Sequence, residues 1–188
     1  MTSILKADTI QDAAGNNIIN ENANTITIGA SGDTISIPAG ATIANSGTAT
    51  GFGKILQVVT ATDSTSRNTT STSYVTASNT LSVDITPSAT SSKIYVVVTG
   101  TMYWNTLNKR GYATIYRDSS NLAGADGMMQ IFDPDSGILG TMGMSILDSP
   151  SSTSALTYQV YIKAMSGGTV YINEYLTKGS ITAFEVAG

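Results

Sequence analysis

A chain of 188 residues is long enough for one compact domain and an appendage, and a hydrophobic content of 41% can fill a core. Only 12% of the residues are charged, and the 9 Lys and Arg against 13 Asp and Glu argue against a phosphate-binding or nucleic-acid surface. Cys and His are absent, which removes disulfides, thiolate or imidazole metal sites, and any Ser–His–Asp or Cys–His nucleophile system.

The start, "MTSILKADTIQD", has neither the apolar run nor the basic leader of a signal peptide. No apolar stretch approaches the roughly 20 residues that span a bilayer. The sequence therefore predicts a chain made in a cytoplasm and not inserted in a membrane.

From residue 8 a short motif recurs: "DTI" ends at Ile10, "NNI" at Ile18, "NTI" at Ile26, "DTI" at Ile35 and "ATI" at Ile43. Ile26 with Ile28, and Ile35 with Ile37, alternate with polar residues, the period of a strand with one buried face. Gly, Asn and Asp between the units supply turns. A strand of about four residues cannot bury its own isoleucines, and stacked repeats need neighbours to complete a core. The economical expectation for 1–43 is an intertwined, β-helix-like stem of three chains. Its core would be Ile10, Ile18, Ile26, Ile28, Ile35, Ile37 and Ile43. A plain meander, or a tail lying on the C-terminal domain, is the alternative. "ANSGTATGFG" (44–53) breaks the repeat and is expected to be a flexible joint.

From 54 to 188, strand-like runs follow one another: "KILQVVTA" (54–61), "TSYVTA" (72–77), "TLSVDIT" (80–86) and "KIYVVVTGTMYW" (93–104). Next come "GYATIYRD" (111–118), "MMQIFD" (128–133) and "ILGTMGMSILD" (138–148). "LTYQVYIKAM" (156–165), "GTVYINEY" (168–175) and "SITAFEVA" (180–187) complete the series. Short strands separated by turn residues, with no helical stripe, predict an all-β fold: an antiparallel β-sandwich or jelly-roll head. Pro87, Pro134 and Pro150 fall between the runs, where a missing amide donor does no harm.

Parity within the runs separates two faces. Ile94, Val96, Val98, Met102 and Trp104 share one side of 93–104, and Tyr95 and Tyr103 take the other; Tyr161 and Tyr171 likewise oppose aliphatic neighbours. The outward tyrosines pack against neighbouring subunits, form an open platform for sugar or protein, or are ordinary surface.

Three stretches invite chemical readings. "DPDSG" (133–137) brings Asp133 and Asp135 together, with Asp126 upstream. Carboxylates in a Gly-containing loop can hold calcium, but the spacing is not that of an EF-hand, and a solvated turn is expected instead. Glycoside hydrolysis needs an acid facing a base or nucleophile across a cleft; the three Glu (Glu21, Glu174, Glu185) are not placed as a pair, so no enzyme is expected. "MYWNTLNKRGY" (102–112) gathers aromatics, amides and cations about a hairpin tip, with "NKRG" as its turn. Tyr103, Asn105, Asn108, Lys109, Arg110 and Tyr112 form a candidate receptor-contact loop, while Trp104 has core parity. The methionines of "GADGMMQ" and "GTMGM" are read as packing.

"ILKADTIQDAAGNNIINENANTITIGASGDTISIPAGATI" resembles the N-terminal segment of tail-fibre and other virion structural proteins of marine bacteriophages, including cyanophages. "TPSATSSKIYVVVTG", "SILDSPSSTSALTYQVYIKA" and "SITAFEVAG" resemble the C-terminal domain of the same group. The resemblance implies a homotrimeric phage virion protein, a short tail fibre or knob. Its N-terminal segment would attach to other virion proteins of tail or capsid, and its head would meet a host cell-surface glycan or protein. It implies no cofactor and no catalytic residue. At 188 residues the chain is far shorter than a long fibre, which leaves capsid decoration, as a head fibre, as the alternative and a glycan-cleaving tailspike module as a more distant one. Assembly in a host cytoplasm and release at lysis would put the protein on the virion.

Overall fold

The computed structural model describes residues 9–11, 13–15, 17–22, 25–29, 31–38, 40–41, 55–134 and 137–188. The chain divides into two units, Met1–Thr50 and Gly51–Gly188. In the first, β1 (Thr9–Gln11), β2 (Asn17–Asn22) and β3 (Thr25–Ile28) pair antiparallel in chain order. Gly15, at a φ of +85° that side chains rarely tolerate, lies in the turn between β1 and β2. Consecutive repeats thus reverse direction and pair within one chain, as a meander. Within the single chain this is the meander given above as the alternative to an intertwined stem. Ile35 and Ile37 lie in 31–38, which joins no strand, so the fourth repeat does not extend the sheet. Ile43 lies outside the described residues.

The second unit is the expected antiparallel sandwich. Its strands are β4 (Ile55–Asp63), β5 (Arg67–Thr69), β6 (Ser82–Ile85), β7 (Lys93–Trp104), β8 (Lys109–Arg117) and β9 (Ser120–Asn121). They continue with β10 (Met129–Asp133), β11 (Ile138–Asp148), β12 (Leu156–Ala164), β13 (Val170–Ile172) and β14 (Gly179–Val186). One sheet has the order β10-β8-β12-β6, with β9 beside β8. The other runs β4-β14-β7-β13-β5, with β11 along the opposite edge of β7. β7 is the backbone of that sheet: β11 pairs with it from Ile94 to Trp104, while β14 and then β13 share its other edge end to end.

Alternation decides what fills the space between the sheets. Along β12, Leu156, Tyr158, Val160, Ile162 and Ala164 are all buried, and so are Ile94, Val96, Val98, Met102 and Trp104 of β7. Met142 and Met144 join this core, and Met128 and Met129 pack against it. The Trp104 ring presses on Gly111 so closely that a Cβ there would come within 2.9 Å of it and 2.7 Å of Val170. Its indole N–H donates to the Thr106 carbonyl at 2.8 Å.

Three expectations need correction. "TSYVTA" (72–77) forms no strand; only an isolated bridge joins Val75 to Ile162. "NKRG" is not the hairpin turn, because Lys109, Arg110 and Gly111 already belong to β8. Nor do β7 and β8 form a hairpin: they belong to different sheets, and the chain between them arches over the end of the core. Burying both Trp104 and Gly111 against each other requires that crossing. Asn108, at φ 55°, makes the bend, with its amide donating to the Asp133 carbonyl at 2.7 Å.

Candidate functional site

The first candidate surface is built by strand register. Ile10 pairs with Ile19, and Ile19 with Ile28, so three isoleucines form one row across the meander. All three are open to solvent, at 39%, 37% and 55%, and Ile26, two residues from Ile28 and so on the same face, is 68% exposed. Ile18 stands one position out of this row. The eight-residue interval pointed to Ile18; the turn between β1 and β2, with the register shift at Ile10/Gln11, selects Ile19. Ile35 and Ile37 are also exposed but belong to no strand. Three or more strands with a hydrophobic face are what an isolated sheet needs to be stable, and burying such a face stabilises it further.

The six residues of the candidate receptor loop do not share one surface. Tyr103 points outward from the six-stranded sheet, where its ring lies 5.6 Å from those of Tyr171 and Tyr175. The neighbouring Tyr175 side chain raises the Tyr103 phenol above its ordinary value. Asn105 and Asn108 are exposed at the arch. Arg110 and Tyr112 point outward from the opposite, five-stranded sheet. There Arg110 lies 5.4 Å over the Phe132 ring and donates to Gln130 at 3.2 Å. Lys163 sits 4.7 Å from the rings of both Tyr74 and Tyr112, and the Tyr116 and Tyr161 rings stack at 4.0 Å. Burial, with Asp126 nearby, pushes the Tyr74 phenol up to about 12. The parity of the outward tyrosines was legible, but their division between two faces was not, because it depends on which sheet each strand joins.

Several of the acidic residues have structural partners. Asp133 is buried and its carboxylate accepts the Gly137 amide at 2.6 Å, which corrects the solvated position expected for this residue. Asp135 lies outside the described residues. Among the described residues no three His, Cys, Asp or Glu gather as a metal-holding group. Glu174 bonds to the Ser66 hydroxyl. Glu185, in β14, accepts from the Ser88 amide and hydroxyl at 2.6 Å and from the Ser92 hydroxyl and Gln57 amide at 2.7 Å. Burial pushes its carboxyl up, but these donors outweigh that and hold it at about 2. Asp148 of one sheet takes the Arg117 guanidinium and the Tyr158 hydroxyl of the other, both at 2.6 Å, a polar clasp across the sandwich. Burial and this bond hold the Tyr158 phenol well above its ordinary value.

A second surface emerges only from cross-strand register. Val58 pairs with Phe184, Phe184 with Tyr95, and Tyr95 with Leu147, forming an apolar row across four strands on the outer face of the six-stranded sheet.

The fold therefore defines an all-β protein with a two-sheet antiparallel sandwich and a small three-stranded unit preceding it in the chain. Neither a protein-family model nor a curated protein matches the sequence. Among solved structures it is similar to the crystal structure of the infectious bursal disease virus VP2 subviral particle, with a TM-score of 0.33 and 17% identity over 70% of this chain. The similarity covers 38% of that chain, so this protein spans well under two thirds of its length.

Proposed function

We propose that the chain is a non-enzymatic structural protein of a virus particle, a homotrimer held together and attached through its N-terminal unit, with the sandwich as an outward head. In detail this is a short tail fibre or knob of a bacteriophage. The arch at Asn105 and Asn108, with Arg110 and Tyr112 behind it, faces the host surface. One observation carries the reading: Ile10, Ile19, Ile26 and Ile28 lie on one face of a small sheet and are exposed in the single chain. The resemblance of both ends of the sequence to phage virion proteins gives that self-association its setting.

Each isoleucine covered on assembly contributes roughly 1.5–3 kcal/mol, repeated in every copy. Ile19→Asp combined with Ile28→Asp is therefore expected to convert a trimer into monomers in gel filtration with light scattering. A native monomer, or an unchanged mass in the double variant, would refute the shared apolar face. Antibodies raised against the head should label purified particles; unlabelled particles would remove the protein from the virion.

A further inference from the structure

The two outward faces of the sandwich differ in charge. On the five-stranded sheet, outward positions include Asp84, Arg110 and Lys163. On the six-stranded sheet, among the described residues at outward positions of β4, β14, β7 and β11, the charge is Lys93 at one end. The row Val58–Phe184–Tyr95–Leu147 lies beside it, and three of its members are strongly exposed: Val58 at 53%, Tyr95 at 40% and Leu147 at 52%. The following rows hold Thr, Ser, Val and Gly. Ile55 and Leu56, which open β4 at the apolar end, are exposed as well.

Extent fits a protein interface. β7 has 12 residues, a run of roughly 40 Å, along which the sheet is four strands wide, β4-β14-β7-β11 over the first seven residues and β5-β13-β7-β11 beyond them; at roughly 19 Å across, this gives at most about 750 Å². A stable complex buries about 800 Å² per partner. A polyanion, an acidic peptide or a charged membrane surface has almost nothing here to pair with. A neutral face of equal extent does fit, and every further copy of this chain carries one. Copies joined through their N-terminal units, which precede the head in the chain, hold their heads at high effective concentration.

We propose that this face is a second interface of the assembly, packed in each head against other copies of the same chain. This rests on the N-terminal association above, and the two can be tested separately. The chain has no native cysteine, so a single thiol reports on its own position. Thr182→Cys and, as a second probe, Ser145→Cys lie in the row next to the apolar one; Gln159→Cys lies on the outer face of the other sheet. In the full-length protein, maleimide is expected to react at least about tenfold more slowly with the first two than with the third. Ile19→Asp with Ile28→Asp should abolish the difference.

An oligomer in which both probes react as fast as Gln159→Cys overturns this interface and leaves the N-terminal one standing. Unchanged mass and unchanged protection in the Ile19→Asp, Ile28→Asp background keeps this interface and overturns the other. A monomeric native protein overturns both.

Discussion

Glu185 illustrates how one side chain can tie a loop to a sheet. Almost fully enclosed, it accepts hydrogen bonds from Ser88, Ser92 and Gln57, so the segment entering β7 is fastened to β14. Its carboxyl is held at about 2 against an ordinary 4.5, a difference on the order of 3 kcal/mol in favour of the folded state. Because the folded value is the lower one, that stability is present above pH 4.5 and is lost as pH falls toward 2. Asp63 acts in the same direction: its burial raises the carboxyl, but the Thr80 and Thr65 amides and Arg67 bring it below its ordinary value. Glu185→Gln is expected to lower stability at neutral pH and to flatten, without abolishing, the loss in acid. Denaturant midpoints measured from pH 7 to pH 2 test this, and an identical pH slope in the variant would assign the acid sensitivity elsewhere. Packing at Gly111 allows an equally local test. A methyl group there meets Trp104 and Val170, so Gly111→Ala should cost about 1–3 kcal/mol by overpacking, visible as a lower melting temperature and a shifted Trp104 emission.

Connections between strands carry strain that strands do not. Between β13 and β14 the chain places Asn173, Tyr175 and Leu176 at φ between 56° and 59°, a left-handed region that costs side-chain-bearing residues roughly 1 kcal/mol each. Leu176 is 93% exposed and loses no packing on truncation, so Leu176→Gly should stabilise the head by about 0.5–1 kcal/mol. A lower melting temperature would show that the leucine has a contact partner in the assembly. Elements of this scale also separate what the sequence disclosed from what it did not. The strands at 93–104 and 138–148 were legible to the residue, because long period-two alternation leaves one solution. β5, with the sequence Arg-Asn-Thr, has no pattern to see and exists because β13 offers it an edge. The same limit governs the candidate surfaces. Spacing identified the isoleucine repeat, but the turn chooses Ile19 over Ile18. Parity identified outward tyrosines, but sheet membership sends Tyr103 and Tyr112 to opposite faces.

Across the whole molecule, the order of strands in space departs most from their order in sequence where β14 inserts between β4 and β7. The first and last strands of the sandwich are direct neighbours, Ile55 to Asp63 against Gly179 to Val186. Such pairing closes a loop of more than a hundred residues before it gains any contact, which makes sandwiches of this kind slow to fold. β14 also brings Ile181 and Ala183 into the core and supplies the Glu185 tether. Without it β4 has no strand partner, and β7 keeps only β11 beside its first seven residues. A chain shortened to end at Lys178 should therefore lose the cooperative transition of the whole sandwich rather than one edge of it. Trp104, buried between the sheets and distant in sequence from the cut, is the reporter. Its emission should shift to that of a solvated indole, without a sigmoidal denaturant curve. A synthetic peptide of residues 179–188 added in excess should restore part of the native signal by strand addition. A shortened chain that keeps a native Trp104 spectrum and a cooperative transition would show that β14 is an attached edge and not the strand that completes the sheet.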